Sequence, residues 1–243
     1  LIIKTGTTYP DIRLTEGDFE DMMARAVSGI LPVTVIDAKH VADYPALPDI
    51  AGILATGSHD MVTEQQPWSE RLAQWIRHAV NQEVPYLGIC YGHQLLAHAF
   101  GGVVDYHPQG IEIGTHLIAT HDAADDDLLF ARVPRRFNAH LVHRQSVRQL
   151  PVGATLLAYS HVEPVQAFRQ GKYAWGVQFH PEFTEHTMRG YVGALATALS
   201  HEGVAVRETI DAVKQTTDAH SLLQRFAVLS KTLNHYLSVQ PAS

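Results

Sequence analysis

The 243-residue sequence predicts an α/β protein, a three-layer sandwich whose central sheet is mostly parallel but mixed, with an antiparallel extension. Three observations carry this. Short apolar runs alternate with segments of helical period as far as Gly102. Beyond it, strand-like runs follow one another with few helices between them. Helical period then returns from Thr184 onward.

The alternating part begins with Leu1–Lys4, a short apolar run suited to a buried strand. Phe19, Met22, Met23, Ala26 and Val27 recur at helical spacing. Val33–Ile36 is β-branched and reads as a second strand, and Ile50–Ala55 as a third that ends in Thr56-Gly57-Ser58. Trp68, Leu72, Trp75, Ile76 and Ala79 mark an amphipathic helix over Trp68–Val80. Val84–Ile89 is a fourth strand, and Tyr91–Phe100 a helix stopped by Gly101-Gly102. Strands and helices in this order place helices on both faces of a parallel sheet.

The runs Val103–Tyr106, Ile111–Ala119, Ala139–Val142, Ala154–Tyr159, Val165–Arg169 and Ala174–Phe179 extend the same sheet as antiparallel strands. Asp122–Ala131, acidic in its first turn, is a short helix candidate. Helical spacing covers Thr184–Leu199 and continues over Val204–Leu237, where Leu222, Leu223, Phe226, Leu229 and Leu233 share a face. No repeat or linker interrupts the chain. The expected organisation is one domain at residues 1–200 with a helical extension at 201–243 packed on it.

Composition narrows the function. Apolar residues at 46% and charged residues at 18% argue against disorder. A net charge of −7 with no basic run argues against nucleic acid as a partner. No apolar stretch reaches the length of a membrane span, and the first residues lack the pattern of a secretory leader. The chain therefore reads as cytoplasmic. Its one cysteine, Cys90, excludes intrachain disulfides and cysteine-based zinc sites, and is either a packed core residue or a nucleophile. The sixteen histidines form no H-E-x-x-H pattern, so no metal site is expected.

Gly88-Ile89-Cys90-Tyr91-Gly92 is the cysteine form of a nucleophile elbow. A strand ends at Cys90 and a helix starts directly after it, so the free N–H groups of the helix start lie beside the sulfur and favour thiolate over thiol. The Tyr91 N–H would point to where an oxyanion forms. A nucleophile needs a base and the base an orienting group. Trp175–Phe183 offers both, with His180 at a strand end and Glu182 two residues on, on the same side of an extended chain. Read alone, this pair is equally a strand-ending histidine with a solvated glutamate. The turn at Thr56-Gly57-Ser58 could line a crevice at the carboxyl edge of the sheet, with the Gly57 N–H as second oxyanion donor.

Gly88-Ile-Cys-Tyr-Gly-His-Gln94, Gly176-Val-Gln-Phe-His-Pro-Glu182 and Thr56-Gly57-Ser58 together resemble the class I, triad-type glutamine amidotransferases. The resemblance spans about residues 1–195 and is greatest to stand-alone proteins similar to the glutaminase domain of GMP synthase. It implies a flavodoxin-like fold and hydrolysis of glutamine through a γ-glutamyl thioester. Cys90 would attack, His180 would shuttle protons, Glu182 would orient His180, and the Gly57 and Tyr91 amides would hold the oxyanion. Ser58, Gln94, Arg144 and Gln145 are the substrate-binding positions that it suggests. It implies no cofactor.

Two departures bear on substrate choice. His59 replaces a small residue, and the neutral Gln145 replaces an acidic one common in relatives. A γ-glutamyl peptidase acting on conjugates such as glutathione is therefore the nearest alternative. The sequence holds no Ser-Gly-Gly phosphate-binding segment of an ATP pyrophosphatase, so any ammonia acceptor belongs to a partner, such as a synthetase, or there is none. A partner-activated glutaminase with little activity alone is the second alternative. The helical tail could dock the partner or another copy of the chain, or simply cover the domain.

Overall fold

The central sheet is built first from five parallel strands. In a computed structural model, which describes residues 1–239, these are β1 (Ile2–Lys4), β2 (Val35–Asp37), β3 (Ile53–Ala55), β4 (Tyr86–Ile89) and the late strand Ala174–Val177. β5 (Val103–Tyr106) stands apart. β6 (Glu112–Thr120), β7 (Arg136–His143), β8 (Gln145–Gln149), β9 (Thr155–Tyr159), β10 (Ala167–Gln170) and β11 (Ala174–Val177) complete the strands. The main sheet runs β2-β1-β3-β4-β11-β10-β9-β6-β7, antiparallel from β11 onward. The chain thus has the α/β architecture with a mixed sheet that its sequence predicts.

Alternation along the central strands sorts the core into two layers. Ile53 and Ala174 flank Tyr86 in register, and this row faces α3 (Pro67–Asn81) and α4 (Tyr91–Ala99) with Leu72, Ile76, Leu95 and Leu96. Leu54 and Trp175 flank Leu87 on the opposite face. There they meet α2 (Phe19–Ala26) and α8 (Thr217–Val239), which contributes Leu222, Leu223 and Phe226. Each of these large side chains contributes about 1.5–3 kcal/mol by leaving water. A third cluster gathers α1 (Pro10–Glu16), α5 (Glu185–Ala194), α6 (Ala196–His201) and α7 (Val206–Asp211) through Ile12, Met188, Tyr191, Leu199 and Val213.

Four local expectations are corrected. β5 does not join the main sheet: it pairs with β8 alone in a two-stranded sheet, and its half-exposed residues have no second neighbour to cover them. Asp122–Ala131 forms only a 3₁₀ turn at Asp122–Ala124, because the Asp127 carboxylate accepts the N–H groups of Leu129 and Phe130 and competes with helical bonding. The helical stretch Thr184–Leu199 is broken at Leu195 between α5 and α6. The stretch Val204–Leu237 is broken between α7 and α8. Positions 240–243 of the expected extension lie outside the described residues. Helix α1 adds to the expected elements; Pro10 in its first turn and Asp11 are its local signals.

Candidate active site

The turn at Cys90 is forced by what surrounds it. Cys90 caps α4 with φ +50° and ψ −97°, a conformation that costs a non-glycine residue roughly 1–3 kcal/mol. A Cβ on Gly88 would lie 2.3 Å from the Gly92 carbonyl group, and one on Gly92 would lie 2.8 Å from the Ala55 oxygen. Only glycines let strand, helix and neighbouring strand approach this closely. The strained residue is thereby held above the carboxyl edge of the parallel strands, where such sheets place their ligands.

β4 and β11 are parallel neighbours, so the chain leaving β11 passes beside Cys90. The His180 N–H donates to the His140 carbonyl at 2.8 Å, fixing its backbone. The His180 Nδ1–H donates to Glu182 Oε1 at 2.7 Å, and both side chains are almost fully buried. Phe183 stacks on the imidazole with centroids 4.2 Å apart. Nε2 is buried and makes no hydrogen bond among the described residues, and the Cys90 sulfur is close enough to act on the ring. Burial alone would lower the His180 pKa, but the Glu182 carboxylate and the Cys90 sulfur override it and push it well up. The Cys90 thiol also points to the Val142 carbonyl, 3.8 Å away.

Gly57 closes the other side. A Cβ there would come within 3.0 Å of the His180 ring and 3.7 Å of the Cys90 Cβ, so glycine is the residue that fits. The Thr5 hydroxyl, 2.9 Å from the Thr56 carbonyl, fixes the Thr56–Gly57 peptide, and the Gly57 N–H has no hydrogen bond among the described residues. The Tyr91 N–H is one of the unpaired donors of the first turn of α4.

Cys90, His180, Ser58, Gln94 and Arg144 line one cavity of about 130 Å³, far more than the roughly 10–15 Å³ that holds one water. Gln94 is buried, and its amide donates to the Gln145 carbonyl at 2.7 Å and to Gln178 at 3.1 Å. Ser58 donates to the Thr5 carbonyl. Arg144 forms a two-pronged pair with Glu202 at 2.7 and 3.1 Å. Gln145 is not brought to the cavity: its side chain donates to Thr63 Oγ1 at 2.6 Å. His59 does line it, 4.6 Å from Tyr9 ring to ring and 3.3 Å from the Tyr191 hydroxyl. Burial first, and the His180 charge second, keep the His59 pKa low.

Residues that the motifs do not reveal complete the walls. Val142 supplies the carbonyl facing sulfur, Phe183 supports the imidazole, and Asp60 adds a carboxylate at the rim. Phe183 follows Glu182 directly and is the most visible of them. The other two have no pattern of their own in the sequence. Among the described residues, no group of three or more His, Cys, Asp or Glu side chains is arranged to hold a metal ion, and no helix is long and apolar enough to cross a membrane.

An elbow cysteine beside a buried imidazole–carboxylate pair defines a cysteine-nucleophile hydrolase of the acyl-transfer type. The model of the class I glutamine amidotransferase family matches residues 24–193, and the chain belongs to that family. It is 36% identical over 163 residues to a subunit of the glutamine-hydrolyzing GMP synthase of Methanocaldococcus jannaschii, covering 67% of this chain and 80% of that one. It is 32% identical over 214 residues to the glutamine-hydrolyzing GMP synthase of Aeropyrum pernix, covering 82% of this chain and 39% of that one. The fold is shared with a Thermotoga maritima glutamine amidotransferase, with a TM-score of 0.69, 22% identity and 96% of each chain covered. A Methylobacillus flagellatus glutamine amidotransferase matches with a TM-score of 0.67 and 22% identity, covering 100% of this chain and 95% of that one.

Proposed function

We propose that this chain hydrolyses the side-chain amide of glutamine to glutamate and ammonia through a Cys90 thioester. The observation that carries the reading is the buried row of thiol, imidazole and carboxylate at Cys90, His180 and Glu182. With His180 held protonated by Glu182, Cys90 reacts as a thiolate beside the amino end of α4. Sulfur bonds to the amide carbon, and the resulting oxyanion accepts hydrogen bonds from the Gly57 and Tyr91 N–H groups. His180 passes its Nε2 proton to the departing nitrogen, the C–N bond breaks and ammonia leaves. The neutral ring then takes a proton from water, whose hydroxide oxygen attacks the thioester. Glutamate leaves, and the thiolate and imidazolium are restored.

The rim suits the α-amino acid end. Arg144 offers a cation and Asp60 an anion, both lining the cavity that holds Cys90. The described side-chain contacts of Asp60, with the Ser58 hydroxyl and Lys39, both fall on Oδ2, which leaves Oδ1 to an ammonium group. Asp60 thus supplies the negative charge that Gln145 lacks. Ser58 and Gln94 shape the space between. The reading keeps residues 1–200 as the hydrolase unit with the segment from 201 packed on it. The archaeal relatives are named as one subunit of GMP synthase, which supports a synthetase partner as acceptor of the ammonia.

Glutamate release from glutamine by the purified chain, beside Cys90→Ala, tests this. Release that disappears with the sulfur is the expected result. A folded chain that releases none, while cleaving a γ-glutamyl conjugate through the same cysteine, overturns glutamine as the substrate. Silence toward both, with release restored by a synthetase partner, moves the activity to the complex.

A further inference from the structure

A second buried imidazole–carboxylate pair stands in the cavity wall, to which it contributes His143, and the chemistry above does not use it. His143 is the last residue of β7 and Glu112 the first of β6, and they are direct cross-strand partners in the antiparallel ladder. Their side chains therefore project to the same face of the sheet. His143 Nε2 lies 2.8 Å from Glu112 Oε2, and both side chains are at most 3% exposed. The other nitrogen, Nδ1, lies 3.0 Å from the Gln145 carbonyl oxygen. A carbonyl can only accept, and Glu112 Oε2 already accepts from the Gln166 amide at 3.2 Å. Each ring nitrogen thus faces an acceptor. Both bonds are made only if both nitrogens carry hydrogen.

From this geometry, we infer that His143 is held as an imidazolium by Glu112, and that the pair is the positioning device for the Val142–Gln145 segment that faces the substrate. The inference rests on the glutamine-hydrolysis reading of the same site. The segment is the single-residue crossing between the two sheets, with Arg144 alone between β7 and β8. Only Arg144 lies outside the strands, so the chain changes sheets within one residue and the carbonyls at the crossing are held by side chains and neighbouring backbone. The Arg144 carbonyl accepts from the His107 N–H at 2.8 Å, and the Gln145 carbonyl takes both His143 and the Gln94 amide. The Val142 carbonyl, one residue before His143, faces the Cys90 sulfur. His143 ties the carbonyl that anchors Gln94, one residue after the Arg144 crossing.

The charged and titratable groups around the ring fit this state. Burial would raise the Glu112 carboxyl, but the hydrogen bond from His143 and the nearby His143, His116 and His107 rings hold it below the usual range. His107 stands edge-on to His143 at 6.1 Å between centroids, and its Nδ1 accepts from the Gln109 N–H. Buried His93, on α4, is pushed down by burial first, with His143 adding to the effect. Glu112 is the carboxylate within hydrogen-bonding distance of the ring.

The test uses the full chain with ¹⁵N-labelled histidine. Two-bond proton–nitrogen spectra at neutral pH, with the His143 signal assigned through His143→Gln, are expected to show both its nitrogens protonated. Glu112→Gln should convert His143 to a neutral tautomer. A neutral single tautomer in the wild type overturns the inference without any variant. The functional arm measures Cys90 inactivation by a diazoketone analogue of glutamine and by iodoacetamide. Glu112→Gln should raise the half-saturating concentration of the analogue about tenfold, the scale of one charge-assisted hydrogen bond, and leave the iodoacetamide rate within about twofold. Glu112→Asp, which keeps the charge, should keep the imidazolium and fall between the two. An unchanged half-saturating concentration in a Glu112→Gln variant that has lost the imidazolium refutes the positioning role. Labelling by the analogue that fails to saturate even in the wild type refutes the glutamine reading and the positioning role together, a different pattern.

Discussion

Replacing Glu182 by Gln tests the reactive row most sharply, since it changes charge and hardly any volume. Glu182 Oε1 accepts from His180 Nδ1 at 2.7 Å in a buried setting. Removing the charge from that bond costs about 1.5–3 kcal/mol, or roughly 10–150-fold in rate. The amide can also donate to Nδ1, which fixes the ring in the other tautomer, so kcat/KM is expected to fall about 10³–10⁴-fold. A second effect follows from His180 itself. Its pKa is lowered by burial and raised by Glu182 and Cys90, with the raising groups ahead. Without the carboxylate, burial gains the upper hand and the imidazolium is lost near neutrality. Iodoacetamide alkylation of Cys90 should then slow near neutrality, since the imidazolium that pairs with the thiolate is gone. The stability sign is fixed as well. A raised histidine contributes fully below its unfolded value of about 6.5, and the contribution fades as pH rises through the folded value. Glu182→Gln should therefore destabilise the protein most in mildly acidic solution. Glutamate release within about threefold of wild type, together with an unchanged alkylation profile, would refute the assignment of Glu182.

Other outcomes follow from the same structure. Gly88→Ala places a methyl group against the Gly92 backbone, which cannot retreat, so a loss of roughly 4 kcal/mol or more is expected, read as a collapse of the thermal transition. Asp60→Asn should raise KM for glutamine about tenfold with kcat nearly unchanged, and should leave an Nα-acetylated glutamine substrate unaffected; an equal effect on both would remove Asp60 from ammonium recognition. His93 is held down at about 3 and His140 at about 4, chiefly by burial, so each must take up a proton on unfolding in mild acid. Between about pH 7 and about pH 5 each should remove about 2 kcal/mol, offset only in small part by His180, whose contribution becomes complete below its unfolded value of about 6.5. Urea midpoints across that window should fall, and His93→Gln should flatten the fall by about half; an unchanged slope would show that these rings are not buried as neutral groups.

The sequence by itself determined the parallel half of the sheet and singled out Cys90, His180 and Glu182 at strand ends, because both depend on short-range rules. Alternating apolar runs and helical period fix which segments pair and cover one another. The elbow needs Gly88, Cys90 and Gly92 within five residues, and the imidazole–carboxylate pair needs only His180 and Glu182 on one extended stretch. Where competition is decided locally by side chains, as at Asp127, period misleads and predicts a helix where a 3₁₀ turn forms. The tertiary structure alone decided what long-range contact decides. It put Asp60 on the rim and turned Gln145 to Thr63. It engaged Arg144 with Glu202, 58 positions away, and set Glu112 against His143 across 31. Such pairs carry no periodic signature, because each partner obeys the rules of its own strand or loop. Only the sheet register, itself set by the whole core, determines which of them meet.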